Sequence, residues 1–354
     1  MRFRDIVLLA MVVLVLFVLF VMDSQSQTPT SITSVTASAT VVTDKGAIVT
    51  NPDLTKDNFR VYQCKNAKKR KDCVEQPITG FTPPKETITV IMALDYSGLA
   101  FQISCAGNPD PYGCGYYGEA GEIQNAPIAF LQNLRPEDWA AFVWYDIRSH
   151  IGVDFTKNKN DLVQELYALL SQPPAFYESN LFDTAIELLD RIDMAEKKDP
   201  GSMNRVSIVL ISTGIDTFSK NNFKELQKRA QNTAAVIYPV RIGKSLQYRS
   251  DGYMDGASQM ALLQAESQLR TLADLTGGKL YSPAFPGELP GIFSEISDAL
   301  RAQYTIEWTS NAATKPGSFN EIRIEVEGVF QDAETQKPLK VGARHRKGHI
   351  TQEP

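Results

Sequence analysis

Histidine is scarce: His150, His345 and His349 are the three in 354 residues. His150 stands alone in the sequence. His345 and His349 fall in a basic, glycine-containing tail that reads as solvated. No Gly-x-Ser-x-Gly elbow, no P-loop and no His-Glu-x-x-His pair occurs, which removes the familiar serine-hydrolase, nucleoside-triphosphatase and zinc-protease signatures. Gly277-Gly278-Lys279 lacks the upstream glycine of a P-loop and reads as the stop of a helix. A charge bias is lacking too. Lys and Arg number 36 against 41 Asp and Glu, a net −5 with signs mixed along the chain. Nothing in that balance suits a nucleic-acid partner. There is no internal repeat.

Cysteine is sparse as well, with four. Cys64 and Cys73 bracket eight residues, and so do Cys105 and Cys114. One disulfide could close each short loop. Four cysteines allow three pairings, and sequence alone does not choose among them. Metal binding is the rival, but Cys-x8-Cys is not a usual zinc spacing and no His lies near either pair. Disulfides Cys64–Cys73 and Cys105–Cys114, formed in an oxidising compartment, are the expectation.

The start of the chain agrees with export. Arg2 and Arg4 precede an uncharged apolar run from Ile6 to Met22. Charge before such a run leaves the amino end in the cytoplasm. The run is near the lower limit for a spanning helix, and MDSQSQ after it offers no small-x-small cleavage site. An uncleaved transmembrane signal anchor over 1–22 is expected, ahead of a cleaved leader or a buried core helix. Residues 23–34, rich in Ser, Thr and Gln, read as a polar tether. The chain is thus expected to be membrane-anchored and extracytoplasmic, in the periplasm or at the cell surface.

The length allows two or three domains, and the rhythm of the sequence divides it. Val35–Val49 alternates weakly around Thr43-Asp44-Lys45-Gly46, a turn between β-branched runs, and Phe59–Gln63 is a short strand. The stretch between Cys64 and Cys73, KNAKKRKD, is strongly basic. It reads as a solvated hairpin tip, or as a contact for acidic lipid or sugar. Pro83-Pro84 closes this β segment, 35–84. From Thr87 strands alternate with helical stripes, the mark of a parallel α/β sheet, over 85–302. Ile88–Leu94, Trp139–Tyr145, Val206–Ile211 and Ala234–Val240 read as strands, with Leu280-Tyr281 a short last one. Glu119–Leu134, Asn158–Leu170, Leu181–Ile192, Asn222–Thr233, Gln259–Leu275 and Leu289–Arg301 read as helices. After Ala302 a period of two returns at Tyr304–Trp308 and Glu321–Glu327, half-buried antiparallel strands of a segment 303–354. Its basic stretch Lys337–Lys347 is expected in solvent. Neither β segment has enough strands to hide an apolar face, so the two are expected to pair into one sandwich-like module.

Ile88 to Leu94 is apolar except Thr89 and runs straight into Asp95-Tyr96-Ser97-Gly98. Such a strand is buried on both faces. In open α/β sheets, ligands collect at the carboxyl ends of the central strands, where Asp95 and Ser97 can turn oxygens toward one cation. VVTDKGAIV, DNFRVYQ, ITVIMALDYSG, SNLFDTAIELL, VSIVLISTGIDTFS, LADLTGGKLY and IFSEISDALRAQYTIEW follow one another over roughly residues 35–345. Together they resemble a von Willebrand factor type A domain, more closely the VWFA-related proteins of acidobacteria. The resemblance implies a doubly wound, mostly parallel, Rossmann-like sheet with a metal-ion-dependent adhesion site at its carboxyl edge. It also implies binding rather than catalysis.

The family's site uses Asp-x-Ser-x-Ser, a Thr on a second loop and an Asp on a third. Asp95 and Ser97 match it. Leu99 stands where the second Ser belongs, Ser179 keeps a hydroxyl at the Thr position, and Thr213 falls at the third-loop Asp. Asp216 corresponds to a later Asp that is not usually a ligand. Magnesium wants near-octahedral oxygen coordination with carboxylate charge. Asp95, Ser97 and Ser179 would be its ligands, one carboxylate and two hydroxyls, a poor cage. The expectation is a degenerate site and no cofactor, with Asp95 holding the loops instead. After Ala100, AGNPDPYG between Cys105 and Cys114 and then GYYGEAGE form an insertion at the same rim. It displays Tyr112, Tyr116 and Tyr117, a composition common at interfaces though also usual in loop packing. The resulting expectation is a non-enzymatic, membrane-anchored protein that binds a protein partner without a metal. A structural subunit of an envelope complex is the first rival. An enzyme of unfamiliar type is the second; it would need a converged acid–base pair in a deep pocket.

Overall fold

The computed structural model describes residues 33–51, 53–105, 122–199, 206–244, 255–310, 317–331 and 336–350. The expected anchor and tether at 1–32, the Cys105–Cys114 pairing, and Tyr112, Tyr116 and Tyr117 lie outside the described residues. Among those described, no helix is long and apolar enough to cross a membrane.

The central sheet has the order β7-β6-β5-β8-β9. Its strands are β5 (Thr89–Asp95), β6 (Trp139–Tyr145), β7 (Ser149–Thr156), β8 (Val206–Ser212) and β9 (Val236–Arg241). All neighbours are parallel except the edge pair β6–β7. β5 lies in the middle, with the chain leaving it to β6 on one side and reaching β8 on the other. That is the switch point where an open α/β sheet forms its crevice.

The uninterrupted apolar character of β5 has its reason in two cores. Val90, Met92 and Leu94 point into one, and Ile91 and Ala93 into the other. The first core is covered by α1 (Gly98–Cys105), α2 (Glu122–Gln132), α3 (Lys159–Leu170) and α7 (Leu289–Arg301), through Ala100, Phe130, Leu166 and Phe293. The second is covered by α4 (Leu181–Lys198), α5 (Phe223–Ala230) and α6 (Gly256–Thr276), through Leu188, Leu226 and Leu269. The helix stop at Gly277 is a left-handed cap with φ 88°, a conformation that favours glycine. Leu280-Tyr281 contributes a single bridge, Tyr281 to Val240.

The remaining strands form two four-stranded antiparallel sheets. One has the order β12-β1-β10-β4 and the other β13-β11-β2-β3. Here β1 is Thr33–Thr43, β2 Phe59–Cys64, β3 Cys73–Gln76, β4 Ile78–Thr82, β10 Gln303–Ser310, β11 Phe319–Val326, β12 Val341–His345 and β13 Gly348–Ile350. Both sheets mix strands from before Pro83 with strands from after Ala302: they alternate in the first, and in the second β11 pairs with β2 where the two groups meet. They share one core of Val41, Phe59, Val61, Tyr304, Ile306, Trp308, Ile322 and Ile324. Cys64 and Cys73 are directly opposed across β2 and β3 and form a disulfide.

Lys337, Lys340 and Lys347 are exposed, as a solvated tail requires, but the expectation for Lys337–Lys347 is corrected over 341–346. The stretch supplies β12 and the turn into β13, and it seats the sandwich on the α/β unit. Arg346 is only 6 % exposed and donates from Nε to Gly348 O at 2.8 Å and from Nη2 to Gln231 O. The two histidines are not solvated either. His345 Nε2 accepts from the Ile324 amide at 3.1 Å. His349 is 4 % exposed, and burial, with the nearby Arg346 charge, pushes its imidazole down to about 4. The sequence GARHRKGH hides this because strand partners, not apolar side chains, bury it. His150 stacks flat on Trp144 at 3.7 Å and reaches Asp146 at 3.2 Å.

A second junction lies under the sheet. The Arg301 guanidinium grips Asp138 with two bonds, at 3.0 and 2.7 Å. The same carboxylate accepts the amides of Ile88 and Arg135. This ties the entry to β5 and the end of α7 to the start of β6.

Candidate functional site: the carboxyl edge

Asp95 ends β5 and is fully buried, as are Ser97, Ser179, Ser212 and Thr213. Its Oδ1 accepts from Ser97 Oγ at 2.8 Å and from the Ser97 amide at 3.3 Å. Its Oδ2 accepts from Ser179 Oγ at 3.1 Å and Ser212 Oγ at 3.2 Å. A carboxylate has about four lone-pair sites, and all four are taken. Two of the hydroxyl oxygens accept in turn: Ser97 Oγ from the Ala100 amide at 3.1 Å, and Ser212 Oγ from the Gly214 amide at 3.0 Å. One carboxylate thus locks three loops: the start of α1, the stretch before α4 and the loop after β8.

Burial raises the Asp95 carboxyl from 3.8 to about 6, against the opposing pull of its hydrogen bonds from Ser97, Ser179 and Ser212. Tyr145, one strand over and fully buried, is pushed well above its usual range by burial and by the Asp95 charge.

The structure brings together Asp95, Ser97 and Ser179. Neither Leu99 nor Thr213 hydrogen-bonds to Asp95. Leu99 is the second residue of α1 and donates its amide to Tyr177 O at 2.9 Å. The Thr213 hydroxyl accepts from the Ile215 amide at 3.2 Å, within its own loop. The third-loop partner of Asp95 is the preceding residue, Ser212. Sequence reasoning missed it because Ser212 ends a buried strand and reads as structural. Asp216 accepts the Phe182 amide at 2.9 Å and the Ser219 amide at 3.2 Å, and Asp183 accepts the amides of Lys220 and Asn221. These carboxylates cap loops rather than face Asp95.

Asp95 is the one charged donor among the residues bonded in this cage. Magnesium keeps several waters and needs carboxylate charge to offset dehydration. Here one carboxylate is saturated by protein donors, every member of the cage is sealed from solvent, and no group of three His, Cys, Asp or Glu side chains converges among the described residues.

Above the cage the rim is aromatic. Phe176, Tyr177 and Phe218 are 42 %, 53 % and 52 % exposed. Phe176 O and Tyr177 O accept the amides of Gly98 and Leu99, so this pair lies directly over the Asp95 loop. The amides of Thr217 and Phe218 both donate to Ser179 O. Beside Phe218 opens a cavity of about 370 Å³ lined by Arg148, Asn180, Asp183, Glu187 and Lys220. The aromatic residues in AFYES and DTFSK carried no periodic signal, and nothing in the sequence marked them as a rim.

No family model matches this chain, and no curated protein does. Among solved structures the chain is similar in fold to von Willebrand factor type A domains. A von Willebrand factor type A protein from Catenulispora acidiphila is 10% identical over 82% of this chain and 76% of its own, with a TM-score of 0.41. The vWF domain of the type V pili tip protein Mfa5 from Porphyromonas gingivalis is 13% identical over 61% and 95%, with a TM-score of 0.39. The conserved hypothetical protein BatB from Bacteroides thetaiotaomicron is 16% identical over 60% and 98%, with a TM-score of 0.37.

Proposed function

We propose that this protein is a non-enzymatic, protein-binding module held outside the cytoplasm by an N-terminal anchor. It engages its partner through the carboxyl edge of the sheet, without a divalent ion. The observation that carries the reading is the exposed trio Phe176, Tyr177 and Phe218, set on loops that a saturated, buried Asp95 holds rigid. Aromatic side chains on a preorganised base bind protein at low entropic cost. In the type A resemblance the ion supplies part of the contact; here the rim aromatics take that role. The apolar run at 6–22 and the Cys64–Cys73 disulfide support an extracytoplasmic location.

A photo-crosslinking residue placed in turn at 176, 177 and 218 of the full chain tests this in the producing cell. Discrete adducts from these positions that survive a chelator are expected. Trp139, at the opposite end of the sheet, serves as the control. Adducts equally strong from position 139, or lost on chelation, contradict the reading.

A further inference from the structure

The Cys64–Cys73 hairpin carries Lys65, Lys68, Lys69, Arg70 and Lys71, all exposed. In a chain of net charge −5 this is a local reversal of sign. The acidic groups facing it are mostly engaged. Glu321 Oε2 accepts the Ala67 amide at 2.5 Å, Glu325 Oε1 pairs with Arg323 at 2.6 Å, and Glu75 lies 3.8 Å from Arg60. Only Arg70 has a weak ion pair, 3.6 Å from Glu325. Lys65, Lys68, Lys69 and Lys71 make none among the described residues, and Asp72 is the one carboxylate within the tip.

The tip is shaped as well as charged. The disulfide closes its base, and the amides of Lys65, Lys69 and Asp72 donate to the carbonyls of Asp72, Asn66 and Lys69 at 2.8–3.0 Å. Its position is set by the sandwich. β1 begins at Thr33, paired with Ser310. Ser310 Oγ donates to Gln63 Oε1 at 2.8 Å, next to Cys64, where the hairpin leaves β2. The chain therefore enters the sandwich at the same end from which the basic tip projects. From Met22 to Thr33 a chain reaches at most about 40 Å.

We propose that the 65–72 tip rests on anionic phospholipid headgroups of the membrane that anchors residues 6–22. The anchor supplies one attachment and the tip a second, which fixes the orientation of the sandwich on the surface. Polybasic segments next to a spanning helix are drawn to acidic lipid over about a Debye length. An acidic protein is the competing occupant, but the tip projects from the end of the sandwich where β1 begins, which favours lipid.

The inference rests on the anchored reading above, and the test separates the two. Full chain is placed in nanodiscs of phosphatidylcholine alone or with about 30 % phosphatidylglycerol, and amide hydrogen exchange is followed over residues 65–72. Exchange about tenfold slower in the anionic discs is expected, reversed by salt of ~0.5 M and by K65Q/K68Q/K69Q/K71Q. Equal exchange in both discs overturns the proposal, as does protection that arises only with an added acidic peptide. A chain that enters neither disc defeats the anchor alone. Its co-sedimentation with phosphatidylglycerol vesicles, lost in the quadruple variant, then still supports the tip, and absence of co-sedimentation overturns it.

Discussion

Replacing Asp95 by asparagine separates the two roles this carboxylate could have. Burial raises its carboxyl from 3.8 to about 6, with the four donors from Ser97, Ser179 and Ser212 offsetting only part of the desolvation. A group whose folded value lies above its unfolded one favours folding most when it is protonated in both states. The stabilising effect is fully present below about 3.8 and is lost as pH rises through about 6. A displacement of this size corresponds to ~3 kcal/mol of folding stability missing at pH 7. An asparagine in its place carries no charge to desolvate, and the serine hydroxyls can rotate to donate to its oxygen or accept from its amide. The Asp95→Asn variant should therefore match or exceed wild type at pH 7, by up to about 3 kcal/mol, and should lose the decline in stability between pH 4 and 6. Urea unfolding followed by circular dichroism across pH 4–8 measures both effects. A variant that is less stable than wild type by 2 kcal/mol or more at pH 7, with the pH dependence retained, would refute the reasoning.

Three further outcomes follow from other parts of the fold. Asp138→Ala leaves Arg301 and the amides of Ile88 and Arg135 without their partner. It should cost about 3–5 kcal/mol in the same urea assay, whereas a loss under 1 kcal/mol would mean the junction is wet. Gly278→Ala places a methyl 1.9 Å from Ile237 O and should cost ~3 kcal/mol or more, while Gly287→Ala, with nothing within 4 Å, should leave the melting temperature unchanged. Reducing Cys64–Cys73, which closes a loop of sequence separation 9, should lower stability by about 3 kcal/mol, and non-reducing peptide mapping should recover that pair intact.

The doubly wound sheet was legible because β5, β6, β8 and β9 are buried on both faces and their apolar runs cannot be solvated. β7 was not. It is an antiparallel edge strand, SHIGVDFT, with no fully buried residue, so its pattern resembles a loop. α1 was hidden by a polar entry at Ser97-Gly98 and by the stretch beyond Cys105. β12 and the turn that follows it suggest a solvated tail because Arg344, Arg346 and Lys347 crowd the stretch, and His349 in β13 lies just beyond them. Their burial comes from pairing with β1 and β11 and from Arg346 reaching Gln231 across to the α/β unit, and no local pattern encodes that. At the site, Asp95 and Ser97 were legible from the buried run that ends at Asp95, and Ser179 only through the type A resemblance. Ser212 was not, because it ends the fully buried strand β8 and falls one residue before the position the type A resemblance points to. The aromatic rim was not legible either, since exposure of Phe176, Tyr177 and Phe218 depends on how two loops meet over α1.

The most direct measurement of the ion-free edge is titration calorimetry with magnesium, manganese and calcium on wild type, on Asp95→Ala and on the L99S/T213D double variant. Wild type and Asp95→Ala should give no binding heat. The double variant should gain affinity, because it returns a hydroxyl to α1 and a second carboxylate to the loop after β8, where Thr213 now serves only its own turn. Tight binding by wild type that Asp95→Ala abolishes would contradict the saturated cage and restore the ion to this edge.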